Sequence, residues 1–191
     1  MLQVFAAISV ILTVAAAPPY IIDTIKGKTR PERATWFILS VLGLIGFLSQ
    51  LAIEVNWSLV FLGVDTLATL IVLCLSFKYG VGGWTLLDRY ALLTAAAGVA
   101  IALIASQPLA AIGGNILADF AGTFLTIRKA YLQPGTETSI SWILVGVAAT
   151  FGALDVGKLD YKLLIWPAYL ILANLAVPAA QLAGHVIKNK Q

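Results

Sequence analysis

One acidic side chain stands out in the sequence. Asp119 sits within a run of apolar and small residues from Pro108 to Ile127. Around it Asn115, Asp119, Thr123 and Thr126 recur at i, i+4, i+8 and i+11, the spacing of one helix face. Gly122 shares that face and would let another backbone or a solute approach closely. A carboxyl at the centre of an apolar span costs about 2.5–3.5 kcal/mol on insertion scales. Such a group can take up and release a proton away from water, which suits proton coupling. No Lys or Arg stands at comparable depth in the sequence to pair with it. The structural alternative is a protonated Asp hydrogen-bonded to a neighbouring helix.

A second acid, Asp65, lies in another apolar run. Its structural alternative is a hydrogen bond to Thr69 or to a facing Ser. Near the C-terminal end, Asn174, Pro178, Gln181 and His185 share a helical face, and Pro178 removes a backbone hydrogen bond where a helix can hinge. Ser9, Thr13, Tyr20 and Thr24 form a rougher stripe near the N-terminal end. His185 stands near the cytoplasmic end of that face, where a solvated His needs no function. The five tryptophans, Trp36, Trp57, Trp84, Trp142 and Trp166, all stand near the ends of apolar runs, as an interfacial belt would require. Trp57 and Trp166 are also placed to stack on a solute. No catalytic Ser/His pair, phosphate-binding Gly loop or metal-ligand cluster is present in the sequence, so neither an enzyme, a cofactor nor a metal is expected. The single Cys74 can form no intramolecular disulfide and reads as a packing residue.

The elements that must position these groups follow from composition. Charged residues make up 11% of the 191 residues and hydrophobic ones 60%, with a mean hydropathy of +0.95. That leaves too little polar surface for a soluble domain, and too few charges for a disordered or nucleic-acid-binding chain. A membrane-spanning helix needs about 20 apolar residues. Seven candidates are found: Leu2–Ile22, Thr35–Val55, Ser58–Phe77, Leu86–Ser106, Pro108–Ile127, Ser139–Leu154 and Leu163–Val186. The sixth is the shortest. The first has no basic residue before it and ends in Pro18-Pro19-Tyr20, a poor cleavage site, so it reads as a retained helix. With seven helices the loops alternate sides. Of the 12 Lys and Arg, only Lys158 and Lys162 fall opposite the other ten. The positive-inside rule then places the N-terminus outside and the C-terminus in the cytoplasm. The basic loop from Lys26 to Arg33 is read as setting that topology, with a lipid headgroup site as the alternative.

The two ends of the chain look alike. Thr24-Ile25-Lys26 matches Thr126-Ile127-Arg128, and Trp36 matches Trp142, each at the start of a span. Trp57 stands eight residues before Asp65, as Trp166 stands eight before Asn174. The reading is an all-α membrane protein of one domain. Residues 1–77 form a first three-helix repeat, 78–107 a linker helix and 108–191 a second three-helix repeat. An odd number of linker crossings gives both triplets one orientation, as parallel repeats.

This plan resembles the PQ-loop and SWEET superfamily, and most closely its small bacterial members. The family's Pro-Gln motif is degraded: Pro18-Pro19-Tyr20 stands in the first copy and Phe120-Ala121-Gly122 in the second. The resemblance covers nearly the whole chain in architecture but only scattered positions in sequence. It implies alternating access between the two triplets, with Pro19, Gly122 and Pro178 as hinges. It also implies solute contacts at Asp65 and Asn174, where SWEET members carry paired Asn residues, joined here by Asn115, Thr123, Trp57 and Trp166. The segment Leu117 to Gly122 is similar to the helix-five region of the lysosomal cystine exporter, which implies that Asp119 carries a coupled proton. The expectation is a transporter of a small polar solute of the sugar or amino-acid class, in a bacterial plasma membrane. Its partners would be that solute, protons and the lipid bilayer, with no nucleic acid. A homo-oligomer is compatible. The alternative is a receptor or assembly factor of the same fold that moves no solute.

Overall fold

The computed structural model describes residues 2–53 and 57–190. The side chains at positions 57, 58, 60 and 61 lie outside the described residues, and so the solute contact expected at Trp57 does too. Seven helices follow one another: α1 (Leu2–Ile25), α2 (Arg33–Ile53), α3 (Trp57–Tyr79), α4 (Leu86–Ile104), α5 (Pro108–Leu132), α6 (Ser139–Asp155) and α7 (Tyr161–Lys188). There is no strand among the described residues, only an isolated bridge between Glu32 and Val81. Six helices are long and apolar enough to cross a membrane, and α6, with 17 residues, is the shorter exception. By length and composition the chain is an all-helical integral membrane protein. Exposed Leu, Ile, Val and Phe side chains along the helices fit that solvent, since lipid does not penalise them.

The chain divides into two compact units. One comprises residues 1–29 and 127–191, the other residues 30–126, so the boundary falls inside α5.

In the unit of residues 30–126, α2 packs along α3 and also meets α4. Its core is alanine-rich: Ala34 and Ile38 of α2, Ala91 and Ala95 of α4, and Ala118, Ala121 and Leu125 of α5. Small residues let backbones touch where lipid supplies no hydrophobic drive for helix association. At Gly98 a Cβ would stand 2.6 Å from the carbonyl oxygen of Gly114, so α4 and α5 meet backbone to backbone. Arg33 closes the far end of α3. Its guanidinium donates from Nε to Ser76 O at 2.9 Å, from Nη2 to Gly80 O at 2.9 Å and from Nη1 to Gly82 O at 2.6 Å. The Ser76 carbonyl is in the last turn of α3 and the other two are in the loop that follows, so Arg33 ties that loop to the helix end. Thr85 and Asp88 form a reciprocal capping box at the start of α4.

In the other unit α1 packs along α6, and α6 along α7. Pro18 and Pro19 lie inside α1, and Pro167 and Pro178 inside α7, without ending either helix. The stripe on α1 is used for packing: Ser9 Oγ donates to Ala148 O of α6 at 2.8 Å, and Thr13 and Thr24 bond carbonyls of their own helix. Gly184 of α7 lies directly against the Tyr131 carbonyl in the last turn of α5.

Candidate functional site

The stripe expected on α5 is largely buried within its unit. Asp119 is 9% exposed, and Gly122, Thr123 and Thr126 are buried with it, whereas Asn115, one turn earlier, is exposed. Thr123 Oγ1 donates to Asp119 Oδ2 at 3.2 Å. One turn on, Thr126 Oγ1 donates to Thr35 Oγ1 of α2 at 3.0 Å. The Thr35 hydroxyl has two acceptors within reach: Gly122 O at 2.6 Å and Glu32 Oε2 at 3.2 Å. The backbone N–H of Thr35 donates to the same Glu32 oxygen at 2.8 Å, so Glu32 also caps α2. Glu32, Thr35, Asp119, Thr123 and Thr126 thus form a buried polar strip along the α2 and α5 faces of one unit. Gly122 is there because α2 comes close: a Cβ would stand 3.3 Å from the Ile38 side chain.

Asp65 of α3 belongs to this unit and is half-buried. It has no hydrogen-bond or ion-pair partner among the described residues. Thr69, considered as its partner, donates instead to Thr66 O at 2.9 Å. Asn174, expected to share a solute with Asp65, falls in the other unit. It is buried, and its amide donates to Leu170 O of its own helix at 2.8 Å. Trp166, on α7, is partly exposed and lies beside Tyr169, with ring centroids 5.7 Å apart.

A second buried polar cluster was not expected. Glu137, in the loop between α5 and α6, has a side chain that is 0% exposed. Its Oε1 pairs with the Lys129 ammonium of α5 and accepts from Tyr20 Oη of α1 at 3.2 Å. Its Oε2 accepts from Trp142 Nε1 of α6 at 2.8 Å. Gln181 of α7 holds the Glu137 backbone on both sides, accepting from its N–H at 3.1 Å and donating to its carbonyl at 3.3 Å. The same amide donates to Ser139 Oγ at 2.8 Å. Thr138 donates to Asp23 Oδ2 of α1 at 3.1 Å. A buried ion pair gains from such surrounding donors, which offset part of its desolvation.

Glu32 and Glu137 occupy similar places. Glu32 stands four residues before the buried Trp36, and Glu137 five before the buried Trp142. Thr35-Trp36 and Ser141-Trp142 open α2 and α6 alike. A Glu one turn ahead of a Ser/Thr-Trp pair was therefore a readable signal. The belt reading of Trp36 and Trp142 gives way to burial, because an indole N–H needs a partner and Glu137 supplies one to Trp142. His185 is exposed at the end of α7, where its ring faces Gly135. Among the described residues no group of three or more His, Cys, Asp or Glu side chains could hold a metal ion. No protein-family model matches the chain, and neither a curated protein nor a solved structure matches it.

Proposed function

We propose that the chain is a membrane transporter of a small polar solute, of the sugar or amino-acid class, driven by protons through Asp119. The observation that carries this reading is a buried carboxyl, with hydroxyls and a glycine on one face of α5, within a helix long and apolar enough to cross a membrane. Ionisable groups within membrane helices mark ion and substrate pathways by default. The proposal includes membership of the PQ-loop and SWEET superfamily, two parallel three-helix repeats, and an N-terminus outside with a C-terminus in the cytoplasm of a bacterial cell. The matched corners at Glu32 and Glu137 add to the sequence matches behind the repeat. Acids at Asp65 and Asp119 favour a neutral or cationic solute over an anion.

The receptor alternative needs a buried cation to hold a partner's carboxylate. Lys129 is buried, but Glu137 already neutralises it, which favours the transporter. The test is uptake of radiolabelled sugars, neutral amino acids and polyamines into proteoliposomes under an inward proton gradient. The expected result is gradient-driven uptake of one class, abolished in Asp119→Asn with unchanged expression and melting temperature. Gradient-driven uptake that survives Asp119→Asn removes Asp119 from the mechanism. No uptake of any class, with one stoichiometric protein partner recovered by pull-down, replaces the transporter with the receptor.

A further inference from the structure

The two ends of the unit formed by residues 1–29 and 127–191 treat their basic side chains differently. At the turn between α6 and α7, Lys158 pairs with Asp160 at 3.8 Å, and Lys162 lies over the Tyr161 ring, 5.9 Å from its centroid. Asp155 closes α6 at that same end. The opposite end is gathered around the loop between α5 and α6. Asp23 and Thr29, which bracket the basic turn after α1, both bond Thr138 of that loop. Lys129 pairs with Glu137, which brings its chain neighbour Arg128 to the same end. The His185 ring lies 3.8 Å from where a Cβ on Gly135 would stand, and Lys188 and Lys190 follow it at and beyond the last residue of α7.

Five cations therefore share this end, Lys26, Lys28, Arg128, Lys188 and Lys190, and each is exposed. None has an acidic partner among the described residues. The two acids at this end are already engaged, Glu137 by Lys129 and Asp23 by the Thr138 hydroxyl. The residues before the cations fix their depth. Ile22 and Ile25 are exposed in the turn before Lys26, Phe124 one turn before Arg128, and Val186 and Ile187 directly before Lys188. Exposed apolar side chains on membrane-spanning helices face acyl chains, so the cations next along each helix stand at headgroup level. Arg and Lys also lay their stems along apolar surface to bring the charge to that level.

We propose that this end is a docking surface for anionic phospholipid headgroups, which supply the negative charge that the protein lacks there. A headgroup phosphate accepts hydrogen bonds from Lys, and two at once from Arg. Each Lys or Arg near an anionic membrane surface adds about five-fold in affinity. A soluble anion would meet the same charges but not the apolar side chains beside them, which favours a lipid. The inference needs only a membrane-embedded chain, so it stands or falls independently of transport and of Asp119.

The experiment follows the melting temperature of the purified full chain in neutral detergent micelles, titrated with phosphatidylglycerol, phosphatidylcholine or inorganic phosphate. A ligand that binds the folded state raises that temperature. Phosphatidylglycerol should act at a concentration at least about 10-fold lower than phosphatidylcholine. Raising the salt to about 1 M, where the screening length is about 3 Å, should erase the difference. Lys188→Gln with Lys190→Gln should raise the half-saturating phosphatidylglycerol concentration about 25-fold, for two lost charges. Lys158→Gln with Lys162→Gln, at the other end, should leave it unchanged. All four side chains are exposed, so both pairs of variants keep the packing. Equal responses to the two lipids, or an equal loss in both pairs of variants, overturn the proposal. An equal rise with inorganic phosphate overturns the lipid as occupant.

Discussion

Glu32 and Glu137 are two carboxylates buried in much the same way by sequence and quite differently by chemistry. Each precedes a helix that opens with Ser/Thr-Trp. Glu137 meets three fixed donors on three different elements: an ammonium from α5, a phenol from α1 and an indole from α6. Its backbone is pinned as well, by Gln181 of α7. Glu32 meets a backbone N–H and a hydroxyl that has another acceptor at hand. A carboxylate held by an ammonium, a phenol and an indole at low dielectric is held in one place. The first corner reads as a fastening for α1, α5, α6 and α7, and the second as a cap at the start of α2.

The largest expected effect comes from breaking the fastening. Lys129→Met removes the cation and leaves the Glu137 carboxylate buried with only neutral donors. Taking one partner from a buried pair costs about 3–5 kcal/mol, and the fully buried Glu137 side chain puts this pair in that class. SDS or thermal unfolding in micelles should show the loss. The double variant Lys129→Met with Glu137→Gln should recover much of it, since both charges then leave together. A single variant as stable as the unmodified chain would mean that Glu137 does not depend on Lys129, and the contrast between the corners would collapse.

The helices were legible in the sequence because about 20 consecutive apolar residues leave little else for a chain to do. All seven appear with ends within a few residues of expectation, save the C-terminal end of α5. That helix was expected to stop at Ile127 because Arg128 and Lys129 look like a boundary, yet it continues to Leu132. Hydropathy assigns a charge only its penalty. It cannot register that Glu137, eight residues on in a polar loop, folds back to neutralise Lys129. The α5 stripe was legible from spacing alone, apart from Asn115, which shares the periodicity but is exposed. Thr35 and Glu32 were not, because their role is set by a neighbouring helix 87 or more residues away in sequence, as in the bond from Thr35 to Gly122 O. The Asp65 and Asn174 pairing came from the repeat, a relation between copies, and each residue is positioned within its own unit by separate packing.

Two glycines sharpen the same comparison with smaller effects, because each corner has one in the left-handed region. Gly82, at φ +71°, lies so close to Glu32 that a Cβ would overlap the Oε1 atom. Gly82→Ala combines strained backbone with overpacking, and together these should cost about 3 kcal/mol. It should also push the Glu32 carboxyl off Thr35 and so weaken the cap of α2. Gly135, at φ +88° beside the Glu137 corner, has only the His185 ring near, 3.8 Å from where a Cβ would stand. Gly135→Ala therefore carries the backbone strain alone, about 1–2 kcal/mol. The informative quantity is the difference between the two variants. Equal losses of stability in melting experiments would mean that the space around Glu32 is as open as that at Gly135, and that the carboxyl is not held tightly at its corner.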